Sequence, residues 1–259
     1  MRGRDLERDM RAREWLHTLT LLPGAWAIIR VDGRGFSRFT ERRFDKPFDP
    51  RFSALMTGTA QTLLTELGGR YAYTESDEIS VVFDPSFDLF GREMEKLVSI
   101  SASIASAAFT HAAGEPAHFD SRVWMGTGTA DVVDYLSWRQ ADAARCALNG
   151  WCYWTLRKEG RSARQATKAL HGTTVAAKNE MLYARGINFN EVPAWQRRGI
   201  GLWWRTHLRT GHDPIRKVDV TATRRGVHVE RDLPMKDSYR ELVRTLIDDS
   251  AEPACADPT

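Results

Sequence analysis

Three acids at two places in the chain could do chemistry: Asp32 in "RVDGRGF", and Asp77 with Glu78 in "YAYTESDEISVVF". Adjacent carboxylates at the tip of a hairpin repel each other, and a third brought close makes the charge costly unless a cation supplies compensation. If the strand ending at Asp32 lies beside the hairpin, Asp32 faces Asp77, and Mg²⁺ is the natural counter-ion. It takes a few carboxylates, a carbonyl, waters and substrate phosphates, and two such ions can activate an attacking oxygen and stabilise a leaving one. Taken alone, Asp77 and Glu78 fit simple turn chemistry. "DGRGF" adds two glycines that let the backbone turn sharply and present N–H groups to an anion, while Gly33 can offer a carbonyl to a metal. Lys46 in "RFDKPFDP", with Arg92 and Lys96 in "GREMEKL" read as one helical turn apart, supply cations to neutralise a triphosphate. The constellation is that of a metal–nucleotide site.

The elements that must position these residues can be read from the pattern. Residues 25–31 form a buried strand stopped by "DGRGF", and residues 49–67 form a helix with Asp49 or Pro50 at its start and Gly68-Gly69 at its end. "RYAYT" and "ISVVF" are strands flanking "ESDE". A second long helix is expected over 87–113, a strand over "FDSRVWMGT", and a long helix from "ADVVDYLSWRQADA" to Gly160 with Gly150 as its weak point. The first 156 residues thus read as an α+β catalytic domain, a sheet with helices on one face. Residues 157–259 read as a basic region of two short helices and a long hairpin, "GIGLWWRTHL" against "RRGVHVERD".

Bulk composition adds one asymmetry. The 259 residues are 42% hydrophobic with net charge +3, yet Arg157–Arg231 holds 16 Lys and Arg against 6 Asp and Glu. Basic residues interleaved with Trp195, Trp203 and Trp204 suit a surface that grips phosphates and stacks on bases; the plainer reading is a solvated basic face over core tryptophans. The charged N-terminus and the lack of an apolar span point to a cytoplasmic protein without membrane contact. Cys146, Cys152 and Cys255 have neither disulfide nor zinc spacing, and the seven histidines show no metal-ligand pattern.

"RVDGRGFSRF", "FDKPFD", "YTESDEISVVF", "FDSRVW" and "YLSWRQADA" resemble, in that order, successive motifs of the tRNA-histidine guanylyltransferase superfamily. The resemblance runs from about residue 25 to residue 155. It implies a polymerase- and cyclase-like palm with a βαββ core, adding nucleotides in the 3′–5′ direction to the 5′ end of tRNA. It implies further that Asp32 and Asp77 bind two Mg²⁺ ions with the Gly33 carbonyl, Glu78 supporting. Arg34, Gly35, Phe36 and Lys46 would line the triphosphate, and Ser76, Arg92 and Lys96 would contact nucleotide phosphates. ATP or GTP would activate a 5′ monophosphate end, and the assembly would be a homotetramer. One departure stands out. Eukaryotic members carry His-Ile-Asn-Asn-Leu-Tyr-Asn where this chain reads "ARCALNGWCYW", so the asparagine involved in activating the 5′ end falls near Asn149 or Gly150. On that ground the chain looks more like the bacterial and archaeal "like" proteins that repair 5′-truncated tRNAs against a template.

The expected chemistry is therefore attack of an NTP 3′-OH on an activated tRNA 5′ phosphate, with positioning and charge neutralisation supplied by the protein. The basic region would hold the acceptor stem, with Lys178, Asn179, Arg197 and Arg198 as candidate contacts. The alternatives are a guanylyltransferase that adds a single G, a nucleotidyl cyclase, and a tRNA-binding protein that keeps the fold without the chemistry.

Overall fold

The computed structural model describes residues 2–213 and 218–248; Cys255 and the "AEPACADPT" tail lie outside them. Strands β1 (Trp26–Gly33), β2 (Tyr71–Glu75), β3 (Glu78–Phe83), β4 (Phe119–Gly126), β5 (Ile200–Asp213) and β6 (Val218–Glu230) join in one sheet in the order β4-β1-β3-β2-β5-β6. Every pairing is antiparallel. The sheet and its helices have the expected α+β, palm-like form.

Helices cover both faces of the sheet, where one covered face was expected. Ala27, Ile29, Val31, Ile79, Val81 and Phe83 bury one face under α3 (Pro50–Glu66) and α4 (Met94–Ala113). Trp26, Ile28, Tyr71, Tyr73 and Val82 bury the other under α5 (Thr129–Lys158) and α9 (Lys236–Asp248). Side chains alternate between faces, so strands apolar at both parities require two covers. The unbroken run "AWAIIRV" carries that signal. The far half of α5 forms a separate small core with α6 (Ala163–Leu170) and α7 (Val175–Tyr183). α5 runs through Gly150 without interruption for roughly 45 Å, so the anticipated 156/157 division falls inside it.

α4 begins at Met94, later than residue 87. Phe90, Gly91 and Arg92 take left-handed φ angles of 55°, 60° and 60°, which no α-helix tolerates. The conformation turns Arg92 inward, where its guanidinium donates to the Phe87 and Ala25 carbonyls, each at 2.9 Å. A short helix not anticipated from the sequence, α2 (Phe36–Arg43), follows the glycine turn, with Gly35 left-handed at its N-cap (φ 74°). A five-residue helix, α8 (Ala194–Arg198), leads into β5 through Gly199.

Gly199 also has φ of 72°, and a Cβ there would lie 2.5 Å from the Tyr73 hydroxyl, which donates to the Arg198 carbonyl. Gly199→Ala is therefore expected to destabilise the fold by about 1–3 kcal/mol, read from the urea midpoint.

Candidate nucleotide and metal site

β1 ends at the site because two backbone bonds pin it there: Gly33 N–H donates to the Asp77 carbonyl at 3.0 Å and Arg34 N–H to the His118 carbonyl at 2.8 Å. Register places Asp32 opposite Glu78 on one side and Asp120 on the other, with Asp77 in the adjoining turn. Gly33 is required by packing, since a Cβ would fall 2.4 Å from the Phe36 ring. That ring sits in an aromatic cluster with Phe39, Phe52, Phe109 and Phe119. Phe36 is thus chiefly a core residue that shows an edge to the adjoining cavity. Arg34 and Gly35 are exposed outside the cavity wall.

The two aspartates differ from Glu78 in their partners. Asp77 accepts one side-chain bond, from the Ser76 hydroxyl at 3.0 Å, and Ser76 holds a left-handed φ of 48° to make the turn. Burial, and then the neighbouring Asp32 charge, push the Asp77 carboxyl above its ordinary value. Burial and Asp120 do the same for Asp32. Arg30, Arg122 and Arg139 pull the Asp32 carboxyl down and Lys46 pulls Asp77 down, without offsetting burial and the neighbouring acids. Among the described residues no group of three or more His, Cys, Asp or Glu side chains forms a metal cage, so the fit is to ions held by two carboxylates, carbonyl oxygens, waters and phosphates. Mg²⁺ binds in that manner, keeping several waters.

Glu78 has the closest cations, yet burial still raises its carboxyl against them. It is buried, and Arg139 of α5 grips it in a fork, Nε to Oε1 at 2.7 Å and Nη2 to Oε2 at 2.8 Å, with Arg30 at 3.6 Å. The structure gives it a supporting place, with its carboxylate committed to two arginines. Arg139 reaches Glu75 as well, at 3.2 Å. Glu75 is nevertheless pushed up to about 8, by burial first and by Glu78 second; Glu78's tighter hold on the shared guanidinium outweighs the contact. Arg139 and Glu75 were not singled out in the sequence, although "WRQAD" spaces Arg139 and Asp142 for an i,i+3 pair, and they meet at 3.4 Å.

Beside Asp77 opens a cavity of about 400 Å³. Lys46 stands in its wall, its ammonium 2.5 Å from Thr40 Oγ1 and 5.5 Å from the centre of the Trp154 ring. Burial lowers its pKa, opposed by Glu41 and Asp77. The cavity is also walled by Phe48, Tyr153, Trp154 and Trp195. Gly150 borders it and Asn149 does not.

Arg92 and Lys96 are not gathered around the carboxylates. Arg92 is bonded to Ala25 at the start of β1, seven extended residues or roughly 23 Å from Asp32, and Lys96 pairs with Glu93 at 2.7 Å. The left-handed turn at 90–92 also takes them off a common helical face. Of the residues proposed for RNA, Asn179, Arg197 and Arg198 bond the carbonyls of Val175, Val192 and Leu233 at 2.9, 2.8 and 2.9 Å. Lys178 is half-buried on α7. Trp203 is core, Trp204 donates to the Gly69 carbonyl at 2.9 Å, and only Trp195 faces the cavity.

An antiparallel palm with paired aspartates at a strand end and in the next hairpin turn is the architecture of nucleotide-transferring enzymes. The profile of the family described as tRNAHis guanylyltransferase matches residues 7–127, and that of the Thg1 C terminal domain matches residues 130–243. The chain is 38% identical over 192 residues to "Probable tRNA(His) guanylyltransferase" of Dictyostelium discoideum, 69% of this chain and 75% of that one. It is 37% identical over 198 residues to the Mus musculus protein of the same description, 71% of this chain and 66% of that one. The match therefore spans just under two thirds of the mouse relative. Among solved structures, tRNA(His) guanylyltransferase from Saccharomyces cerevisiae superposes with TM-score 0.67 at 27% identity, over 79% of this chain and 91% of that one. A bacterial tRNA(His) guanylyltransferase-like protein in complex with ATP superposes with TM-score 0.75 at 24% identity, over 93% and 99%, a likeness of fold. The chain belongs to the tRNAHis guanylyltransferase family, whose named members are nucleotidyltransferases.

Arg139→Met leaves Glu78 and Glu75 without a cation and should cost about 3–5 kcal/mol of stability by urea titration; adding Glu78→Gln to it should recover part of the loss. Glu75 titrates near 4.5 when unfolded and about 8 when folded. The unfolded chain therefore releases its proton first as pH rises, and Glu75's contribution to stability, complete below pH 4.5, is lost by pH 8. In chelator, Glu75→Gln should reduce the fall in Tm between pH 5 and pH 8 by about 5 °C relative to the unaltered protein.

Proposed function

We propose that this protein adds a guanylate to the 5′ end of tRNA-histidine, by attack of the GTP 3′-OH on an activated 5′ phosphate. The observation that carries the reading is the Asp32–Asp77 pair, whose burial the nearby cations do not offset, with Asp77 on the wall of a cavity that also holds Lys46. Family membership and the descriptions of the relatives support guanylate addition over general repair. Asp32, Asp77 and the Gly33 carbonyl would hold Mg²⁺ ions, which supply Lewis acidity to the attacking and leaving oxygens when bound. Lys46 holds phosphate charge at the cavity, and the first-turn N–H groups of Phe36 and Ser37 in α2 are free of intrahelical partners and add to it. Ser76 holds Asp77 in place. Glu78 acts through Arg139, keeping α5 against the hairpin. For the tRNA, exposed Arg205, Arg224 and Arg225 on the β5–β6 hairpin offer a phosphate-binding surface better than the carbonyl-bonded Arg197 and Arg198.

A second reading, template-directed repair of truncated tRNA, is favoured by one observation. The family resemblance implies an asparagine near Asn149 or Gly150; Gly150 borders the cavity and Asn149 does not, so neither brings an amide side chain into that wall.

The test is incubation with Mg²⁺, labelled GTP and tRNA-histidine lacking its additional 5′ residue, in parallel with a tRNA truncated at its 5′ end. Labelled product from the first, reduced at least about 100-fold by Asp77→Asn, supports guanylate addition. Template-matched extension of the truncated tRNA alone favours repair. A cyclic nucleotide product, or RNA binding with no extension of either, sinks both.

A further inference from the structure

Gln196 borders the cavity from α8, next to Trp195, and its amide is held from behind. Trp151 of α5, which does not border the cavity, donates its indole N–H to Gln196 Oε1 at 3.2 Å. An indole nitrogen can only donate, so the amide oxygen is committed towards Trp151 and the flip state of the side chain is decided. The Gln196 amine has no hydrogen bond among those of the described residues and is left as a pure donor. It stands in a wall whose aromatic members, Phe48, Tyr153, Trp154 and Trp195, suit the faces of a purine.

Glutamine reads adenine by using both ends of its amide, the oxygen accepting from N6 and the amine donating to N7; guanine presents two acceptors, O6 and N7, on the same edge. With its oxygen oriented towards Trp151, Gln196 keeps its N–H groups for the cavity, where they oppose the adenine N6 donor and match the guanine O6 and N7 acceptors. We infer that the Trp151–Gln196 pair makes this cavity select guanine over adenine, so that Gln196 is the specificity-determining contact for the nucleoside triphosphate bound there and Trp151 its positioning residue. The inference rests on the proposed nucleotide site and names what that site takes.

Binding of GTP and of ATP, each with Mg²⁺ and without RNA, tests it by calorimetry on the full chain. GTP should bind at least about fivefold more tightly than ATP, the discrimination one well-placed amide contact provides. Gln196→Leu should bring the two affinities together by weakening GTP. Trp151→Phe should narrow the ratio by strengthening ATP. Equal binding of the two nucleotides by the unaltered protein, or a GTP preference that survives Gln196→Leu, overturns the inference and leaves the nucleotide site standing. Binding of neither nucleotide, or binding indifferent to Lys46→Ala, overturns the site itself and the inference with it. Near-ultraviolet circular dichroism of each variant confirms that the compared proteins are folded.

Discussion

The fork of hydrogen bonds from Arg139 to Glu78 joins the longest helix of the molecule to the turn that carries Asp77. A carboxylate and a guanidinium are both costly to bury, and each is tolerable here because the other takes its charge in a bidentate fit. The bond lies at the turn end of the hairpin, so it fixes α5 against the sheet where β1 ends and β3 begins. Through α5 it also places Tyr153 and Trp154 on one wall of the cavity and Trp151 behind another. The aspartates receive no such compensation from the protein. The same few residues therefore contain one acid held in a bidentate fork and two whose carboxyls are raised by burial and by neighbouring acids.

Much of this arrangement was legible in the sequence, and the parts that were not share a physical cause. Strand β1, helix α3 and both hairpins are declared by local signals: the Pro50 start with its Asp49 cap, the glycine stop, and the β-branched and aromatic runs. Asp32 and Asp77 could be paired because strand, helix, strand, strand is a short circuit with few ways to close. The second helical layer depends on α9, far along the chain, and on which parity of each strand stays apolar. Arg92 was misplaced because its guanidinium is drawn inward by the Ala25 carbonyl, 67 residues away, which no local window contains. The partner of Glu78 lies 61 residues away in sequence, and that separation hid Arg139 although its motif had been noted.

The tryptophans of the basic segment illustrate the same limit. Their spacing with arginine suggests a stacking surface, yet Trp203 belongs to the core beneath α9 and Trp204 bonds the backbone. Arg205 and Arg225 lie over those rings, 5.9 and 4.5 Å from their centres. Aromatics that the sequence offers as a binding platform instead carry exposed cations on a rigid base. Charge in this region was correctly located to the segment; which cations are free was settled by local carbonyls that occupy Arg197 and Arg198.

β2 is bonded to β3 on one side and, over residues 200–203, to β5 on the other, so one sheet runs from the aspartates into the basic hairpin with no linker between. An inserted or deleted residue within 200–203 would turn every following side chain to the opposite face, exchanging Leu202 in one core for Trp203 in the other. Beyond Trp204, among the described residues, the two strands of the hairpin pair only with each other, and paired insertions there change reach without disturbing the register behind them. The outer hairpin is accordingly a place where the fold accepts a change of length while the aspartates keep their place.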